Sequence, residues 1–361
     1  MQCDEHRPRC ATCTRLVIPC TWPKPRTEAT SSTRLSEGNT PGVISNFINI
    51  STSLQHYGTT PEHLAVGDLR LLHHFTTKTY TTIDTVVSQQ HIWRDSVVQI
   101  GFRHPYLLRG VLAISALHLA TLNPDLAVDF LVQASAQYNC ALLDFRHTLQ
   151  DVNDENCVAV FAFSCITVIH AFAVAQIHKP VNPIEDLVNC MRLVQGVGAI
   201  LRPHWETLKA TELGPLLENS PKGGIRGEVP EVLQLKSLVS LLPNYDEGAT
   251  AVTCLHAIDL LHTVLIECEP RAENQPYMAF LFTWPALLSP EFFSSLSEHE
   301  PVSIIILAHF AAMLGQKGSC WWIACWNTYI LRSVETILST DLLKWLSWPK
   351  KIMGISDTDE I

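Results

Sequence analysis

The chain has 361 residues, of which 47% are apolar and 17% are charged, and its formal net charge is −10. A chain of this length and apolar content can bury one large core. Phosphate binding needs a positive field, so the acidic balance excludes a surface that binds nucleic acid throughout and restricts any such footprint to a local segment.

Four cysteines stand close together at the start of the chain. Cys3, Cys10, Cys13 and Cys20 have the spacing C-x6-C-x2-C-x6-C. Zinc favours four thiolates in a tetrahedron, and a two-residue gap lets one tight turn present two sulfurs to the same ion. We therefore predict that these four residues are metal ligands; the alternative is a set of unrelated reduced thiols.

The same segment is basic. Residues 1–26 contain five Lys or Arg and two acids, so the remainder of the chain is more acidic than the whole. A short basic head on an acidic body is expected when a small module meets nucleic acid and a larger one has another task. Arg7, Arg9 and Arg15 are the residues that we expect to contact phosphates.

Residues 27–66 are rich in Thr, Ser, Asn, Gly and Pro and predict a disordered linker. Helical text follows over 67–350, with a tail at 351–361. Asp68 is the expected N-cap of the first helix, and His104-Pro105 opens a second that ends near Asn123. Pro124 starts a third, which runs through Phe145.

The next helix is predicted over 157–177, and acidic Asp154 and Glu155 stand where its dipole favours them. Residues 203–230 contain several prolines and a Gly-Gly pair, which predict an irregular, partly disordered crossing loop. Because no alternating strand pattern separates these segments, the predicted fold is all-α. Further helices are predicted at 184–201, 231–242, 247–268, 302–315 and 319–347.

The stretch from Cys157 to Ile177 contains no Asp, Glu, Lys or Arg and is long enough to cross a bilayer. It nevertheless includes Ser164, Thr167 and His170 and lacks a flanking cluster of basic residues. A helix enclosed by other helices has the same composition, so we expect a buried helix and no membrane span; the span is the alternative.

The cysteine head resembles the second half of the fungal binuclear zinc-cluster domain. The resemblance rests on Cys3-Asp4-Glu5-His6-Arg7-Pro8-Arg9-Cys10-Ala11-Thr12-Cys13 and on Cys20-Thr21-Trp22. That family uses six cysteines around two zinc ions, and the four cysteines here match its third to sixth ligands.

The family's first two cysteines and its basic DNA-reading helix would stand before Met1. The resemblance therefore implies promoter DNA as a partner only if the module is completed upstream, and at most one equivalent of zinc from the four cysteines that remain. A missed upstream segment or a natural variant without its DNA reader would each explain this sequence.

The body resembles the regulatory domain of sterol uptake control proteins. The segments that carry this resemblance are 71–76, 104–120, Glu155-Asn156, and Trp321-Trp322 with Trp326. In that family the domain is helical, binds a sterol in an apolar pocket and controls nuclear entry. The resemblance implies a domain that senses an apolar ligand or forms a homodimer.

Phe310, Met313, Trp321, Trp322 and Trp326 offer apolar material for such a pocket, although an aromatic stripe at helical spacing is also ordinary core. The leading interpretation is an RNA polymerase II transcription regulator that is nuclear and shuttles with the cytoplasm. The alternative is a helical ligand-binding or dimerising regulator without direct DNA binding.

An enzyme acting on apolar substrates is a third interpretation. His73-His74, His118, His170, His309, Cys157 and Cys165 supply the residue types, but none has the spacing of a catalytic motif. We therefore predict no enzymatic activity.

Overall fold

The computed structural model describes residues 66–84, 86–217, 228–240, 248–268, 277–315 and 320–355. Cys3, Cys10, Cys13 and Cys20, the basic residues Arg7, Arg9 and Arg15, and all but the last residue of the predicted linker lie outside these ranges.

The described residues form an all-α structure without a β-strand in these ranges, which confirms the predicted fold class. The helices of the first half are α1 (Val66–Thr77), α2 (Val97–Arg103), α3 (Pro105–Leu122), α4 (Ala127–Thr148), α5 (Cys157–Ile177) and α6 (Pro183–Leu201). Those of the second half are α7 (Trp205–Lys209), α8 (Pro230–Leu233), α9 (Leu235–Val239), α10 (Ala249–Cys268), α11 (Tyr277–Leu287), α12 (Pro290–Ser297), α13 (Pro301–Leu314), α14 (Trp326–Ile337) and α15 (Ser347–Met353). Short 3₁₀ turns link several of them, and a π turn covers Ile92–Ser96.

Helices α3 and α4 form an antiparallel pair, joined at the predicted corner. Pro105 begins α3, where its missing N–H leaves no hydrogen bond unmade. Asn123 ends the helix by donating its backbone N–H to the carbonyl of Leu119 at 3.0 Å, and the turn Pro124–Leu126 leads directly into α4. The sequence signals at this corner therefore act as predicted.

Helix α5 lies at the centre of the packing. It contacts α3, α4, α6 and the turn Trp321–Ile323, and fourteen of its 21 residues are buried. Its polar residues Ser164 and Thr167 donate to the carbonyls of Val160 and Phe163, at 2.7 and 2.9 Å. The helix thus satisfies its own hydroxyl groups and can present apolar atoms on every side.

Three described helices have the length and composition to cross a membrane: Pro105–Leu122, Cys157–Ile177 and Thr250–Cys268. Within the fold, 72% of the most apolar 18-residue stretch is buried in each of the first two helices, and 44% in the third. The packing of α5 between other helices agrees with the expectation of an enclosed helix.

Several predicted boundaries are wrong. Residues 319–347 do not form one helix: α14 ends at Ile337, and the turn Leu343–Leu346 and α15 follow. The helix predicted at 231–242 is two short helices, α8 and α9. In both places the apolar spacing persists across the break because the separate pieces face the same core, as buried Leu235, Leu331 and Leu346 show.

Two further predictions are corrected at their ends. Asp68 is not an N-cap, because α1 already includes Val66; its carboxylate instead accepts a 2.6 Å hydrogen bond from Gln137. Within the predicted crossing loop, the described residues 203–217 are folded: α7 and the turn Gly214–Leu217 bury Leu208 and Leu213. The helices α11 and α12 lie where we predicted none.

Gly110 allows α3 to approach α5. A Cβ atom at this position would lie 2.8 Å from Cε2 of Phe163 and 3.0 Å from Cγ2 of Ile166. Both side chains are fully buried, so neither has room to move away. Helix α3 can therefore pack this closely against α5 only with glycine at the crossing point.

We expect Gly110→Ala to lower the free energy of unfolding by about 1–3 kcal/mol, because the added methyl group overpacks this contact. Gly198→Ala is the matched control: it is also helical, and its new Cβ would meet nothing within 4 Å. The control should be neutral or stabilising by about 0.5–1 kcal/mol. Denaturant unfolding of both variants checks this, and equal effects would contradict a specific contact at Gly110.

Candidate functional site

An apolar cleft with a volume of about 470 Å³ opens between α5, α6 and α11. The segment from α7 to the turn Gly214–Leu217 and the turn that carries Trp322 close two further sides. The volume lies within the range of small-molecule sites in proteins. The lining residues are Ile83, Asp84, Trp93, Phe161, Cys165, Val168, Ile169, Val194, Val197, Gly198, Trp205, Leu216, Leu217, Met278, Ala279, Phe282, Thr283, Ala286, Leu287 and Trp322.

The walls of the cleft are mostly aliphatic and aromatic, with few polar groups. Asp84 and Thr283 provide a carboxylate and a hydroxyl. Trp93 is 5% exposed, and its buried indole N–H has no hydrogen-bond partner among the described residues. A buried donor without a partner costs free energy, which a hydrogen-bond acceptor on a bound molecule would recover. The cleft therefore suits a large apolar molecule with one or two polar atoms.

Hydrogen bonds hold the turn Trp321–Ile323, called here the tryptophan turn, against α5. Gln176 donates to the carbonyl of Trp322 at 3.2 Å and accepts from the backbone N–H of Cys325 at 3.0 Å. The indole N–H of Trp326 donates to the carbonyl of Phe172 at 3.0 Å. Trp322 stacks on Phe282 of α11, with 5.8 Å between the ring centroids. These contacts position Trp322 in the wall of the cleft.

The five aromatic and apolar residues proposed from the sequence do not lie together. Only Trp322 lines the apolar cleft. Phe310 stacks on Trp284 with ring centroids 4.5 Å apart, and Met313 is buried on the same helix, α13. Trp326 lines a second cavity.

Trp321 lies against the ring of His118, with 5.1 Å between centroids. Nδ1 of His118 is 3.0 Å from the hydroxyl of Thr79 and 3.3 Å from Nε2 of His74. This contact joins three segments that carried the resemblance in the sequence: 71–76, 104–120 and the tryptophan turn. Their shared role in the fold is packing.

The second cavity has a volume of about 690 Å³ and a more polar lining. Asp186, Asn189 and Arg192 of α6 line it together with His170 of α5. The His170 ring stacks on Tyr138 with 3.7 Å between centroids, and burial lowers the pKa of His170 to about 3. The imidazole is therefore neutral at physiological pH.

Sequence reasoning missed most of the cleft. Phe161, Val168, Val194, Met278 and Phe282 come from three helices, and one of those helices, α11, was not predicted. Apolar residues at helical spacing look the same whether they face the core or a cavity. The charge-free, mostly apolar run of Met278–Leu287 was the one signal that could have revealed a buried helix there.

The histidines considered under the enzyme alternative are separated or occupied in structural contacts. Nδ1 of buried His309 lies 2.8 Å from the carbonyl of Ile305 in its own helix, and its ring stacks on Trp348. His118 holds the contact with Trp321 described above. Burial lowers the pKa of both to about 4. Within the described ranges these groups behave as core histidines.

The described residues form an all-helical domain that packs around α5 and carries an apolar cleft on one side of that helix. A model of the fungal specific transcription factor domain matches residues 70–178, which extend from α1 through α5. From α1 through α5 the chain therefore resembles fungal transcription factors, which supports a role as a transcription regulator.

Three relatives show how far the similarity extends. The Zn(2)-C6 fungal-type transcription factor afumD of Aspergillus fumigatus is 26% identical over 87% of this chain and 82% of its own length. A Zn(2)-C6 fungal-type transcription factor of Gibberella zeae is 24% identical over 79% of this chain and 61% of its own length. Sterol uptake control protein 2 of Saccharomyces cerevisiae is 26% identical over 71% of this chain, which spans only 28% of that protein.

We expect acid to destabilise the fold through its buried histidines. The folded pKa of His309 is about 4, below the ordinary value of 6.5, so the unfolded chain binds a proton there first. Stability is therefore fully present above pH 6.5 and is lost as the pH falls toward 4. From pH 6.5 to 5, His309 should account for about 2 kcal/mol of this loss.

The measurement is denaturant unfolding at several pH values, with His309→Gln and the control His91→Gln. The first variant should flatten the pH dependence. His91 is exposed, so its replacement should leave the slope unchanged. An unaltered slope in His309→Gln would contradict the assignment.

Proposed function

We propose that this chain regulates transcription by coupling the occupancy of the apolar cleft by a sterol-like molecule to its action on promoter DNA. The observation that carries the proposal is the cleft itself, with aromatic walls and a buried, unpartnered indole donor at Trp93. The name of the yeast relative, sterol uptake control protein 2, supports the choice of ligand class.

The walls of the cleft match the shape of a rigid, multi-ring lipid. Phe161 and Val168 of α5 and Phe282 of α11 offer flat and branched apolar surfaces. A sterol has one hydroxyl group, which could pair with Trp93, Asp84 or Thr283 while its rings displace water from the remaining surface. Burial of that ring surface would provide most of the binding free energy.

Zinc and DNA belong to the head of the chain in this proposal. Cys3, Cys10, Cys13 and Cys20 hold at most one zinc ion, and Arg7, Arg9 and Arg15 contact DNA phosphates. The kinship with Zn(2)-C6 factors supports both assignments and a nuclear location. Because the relatives are transcription factors, we propose no enzymatic activity.

A second candidate is a dimerising regulator that reaches DNA only through a partner. Apolar side chains are exposed around the corner between α3 and α4: Leu122 (58%), Leu126 (50%), Val128 (74%) and Val132 (54%). Exposed apolar groups that follow one another in this way are typical of an association surface.

We expect Ala279→Trp to abolish binding of a fluorescent sterol, because the indole would fill the cleft that Ala279 lines. Leu143→Trp is the matched control: it adds an indole at an exposed position of α4 that lies outside both the cleft and the association surface. Affinity should fall at least about tenfold in the first variant, and reporter transcription should stop responding to sterol. Unchanged sterol affinity in Ala279→Trp would rule out the cleft as the site.

We expect the chain to lose one equivalent of zinc, the most that the four thiolates can hold, when Cys3, Cys10, Cys13 and Cys20 are all replaced by Ser. The measured quantity is the difference in bound zinc between the two proteins. A difference of two equivalents, or of none, would contradict the proposed head.

A gel shift with promoter DNA separates the two candidate functions. It compares the unaltered chain with the variant that has four Ser replacements, each made with and without any upstream coding sequence. A zinc-dependent shift supports direct DNA binding. If neither length shifts DNA, the dimerising regulator is favoured.

A further inference from the structure

Three residues with different metal-binding atoms meet where α5 begins. Asp154, Cys157 and His204 offer a carboxylate oxygen, a sulfur and an imidazole nitrogen, and these three atoms lie within 4.8 Å of one another. Nδ1 of His204 is 3.3 Å from Oδ1 of Asp154. We propose that this cluster is a zinc site, separate from the cysteine head.

The spacing of the donor atoms is close to what zinc requires. Zinc binds sulfur at about 2.3 Å and nitrogen or oxygen at about 2.0–2.2 Å, so ligand atoms around it lie roughly 3.3–3.8 Å apart. The Asp154–His204 pair already has this separation. The two pairs that include the Cys157 sulfur are separated by at most 4.8 Å.

The donor types select the metal. A thiolate together with imidazole nitrogen suits zinc and similar transition metals, whereas magnesium and calcium take oxygen ligands. Three protein ligands leave a fourth position for water. Asp154 has an exposed side chain, which gives an ion a path from solvent, while Cys157 is 2% exposed and closes the inner side.

Neighbouring groups hold the ligands in place. The hydroxyl of Thr207 donates to Oδ1 of Asp154 at 3.3 Å. The loop before α5 is fixed by its own hydrogen bonds: the Asn156 side chain accepts from the backbone N–H of Asn153 and donates to the carbonyl of Asp151, at 2.9 and 2.8 Å. Second partners of this kind orient the ligands in metal sites.

The three ligands join two separate parts of the fold. Asp154 and Cys157 belong to the start of α5, whereas His204 ends the turn Arg202–His204 just before α7. Trp205, the next residue, lines the apolar cleft. A bound zinc ion would therefore fix one wall of the cleft to α5, whether or not the cleft binds a ligand.

The test uses the full chain with Cys3, Cys10, Cys13 and Cys20 replaced by Ser, so that the head cannot contribute. Zinc content after dialysis should be one equivalent. Cobalt titration should give the near-ultraviolet charge-transfer band of a thiolate ligand. Added zinc should also raise the melting temperature of this protein, because it binds the folded state.

Asp154→Asn, Cys157→Ser and His204→Ala, each made in this background, should weaken zinc binding at least about tenfold. The cobalt band should disappear in Cys157→Ser. If that variant fails to fold, the other two decide, since the Asp154 side chain is exposed and that of His204 is partly exposed.

One control matches each donor type: Asp144→Asn, Cys140→Ser and His91→Ala should all retain the zinc. The proposal is overturned if the head-silenced chain binds no zinc, or if the ligand variants and the controls bind it equally. Either result would leave the cluster as a hydrogen-bonded pair, Asp154 with His204, beside a buried thiol.

Discussion

A helix of 21 residues without one charged side chain has to be enclosed, and the rest of this fold is arranged to enclose α5. Exposing it to water would forfeit the burial of Phe163, Ile166 and Phe172, each of them fully buried. Helices α3 and α6 and the tryptophan turn cover it from different sides. The residues that permit this, such as Gly110 at the crossing with α3, matter because packed interiors tolerate little added volume.

Two cavities border α5 in the part of the chain that the structure describes. On one side, α6 and α11 leave an apolar cleft; on another, His170 and Tyr138 border a polar cavity. Helix α5 contributes wall residues to both, so a molecule bound in either would contact the helix around which the domain packs. This arrangement gives a physical route by which ligand binding could alter the stability or motion of the regulatory domain as a whole.

The start of α5 has a different character from its interior. Asp154 and Cys157 meet His204 there, and the chain continues from His204 into the segment that closes the apolar cleft. Trp205 and Leu216, which form one wall of the cleft, thus follow in sequence the residue His204 that contacts Asp154 at this end of α5. The contact between His204 and Asp154 therefore lies next to the apolar cleft. The short segment that contains His204 and Trp205 takes part in both.

The sequence by itself determined the helical class, the corner at Asn123-Pro124 and the limits of α5, because caps, prolines and a charge-free run are local signals. It also carried the cysteine spacing of the head. Only the tertiary structure decided which apolar residues line the cleft, since Phe310 and Phe282 have the same side chain and differ in what packs against them. The meeting of Asp154 with His204, 50 residues away, likewise arises from the folding of α7 against α5, which no local pattern encodes.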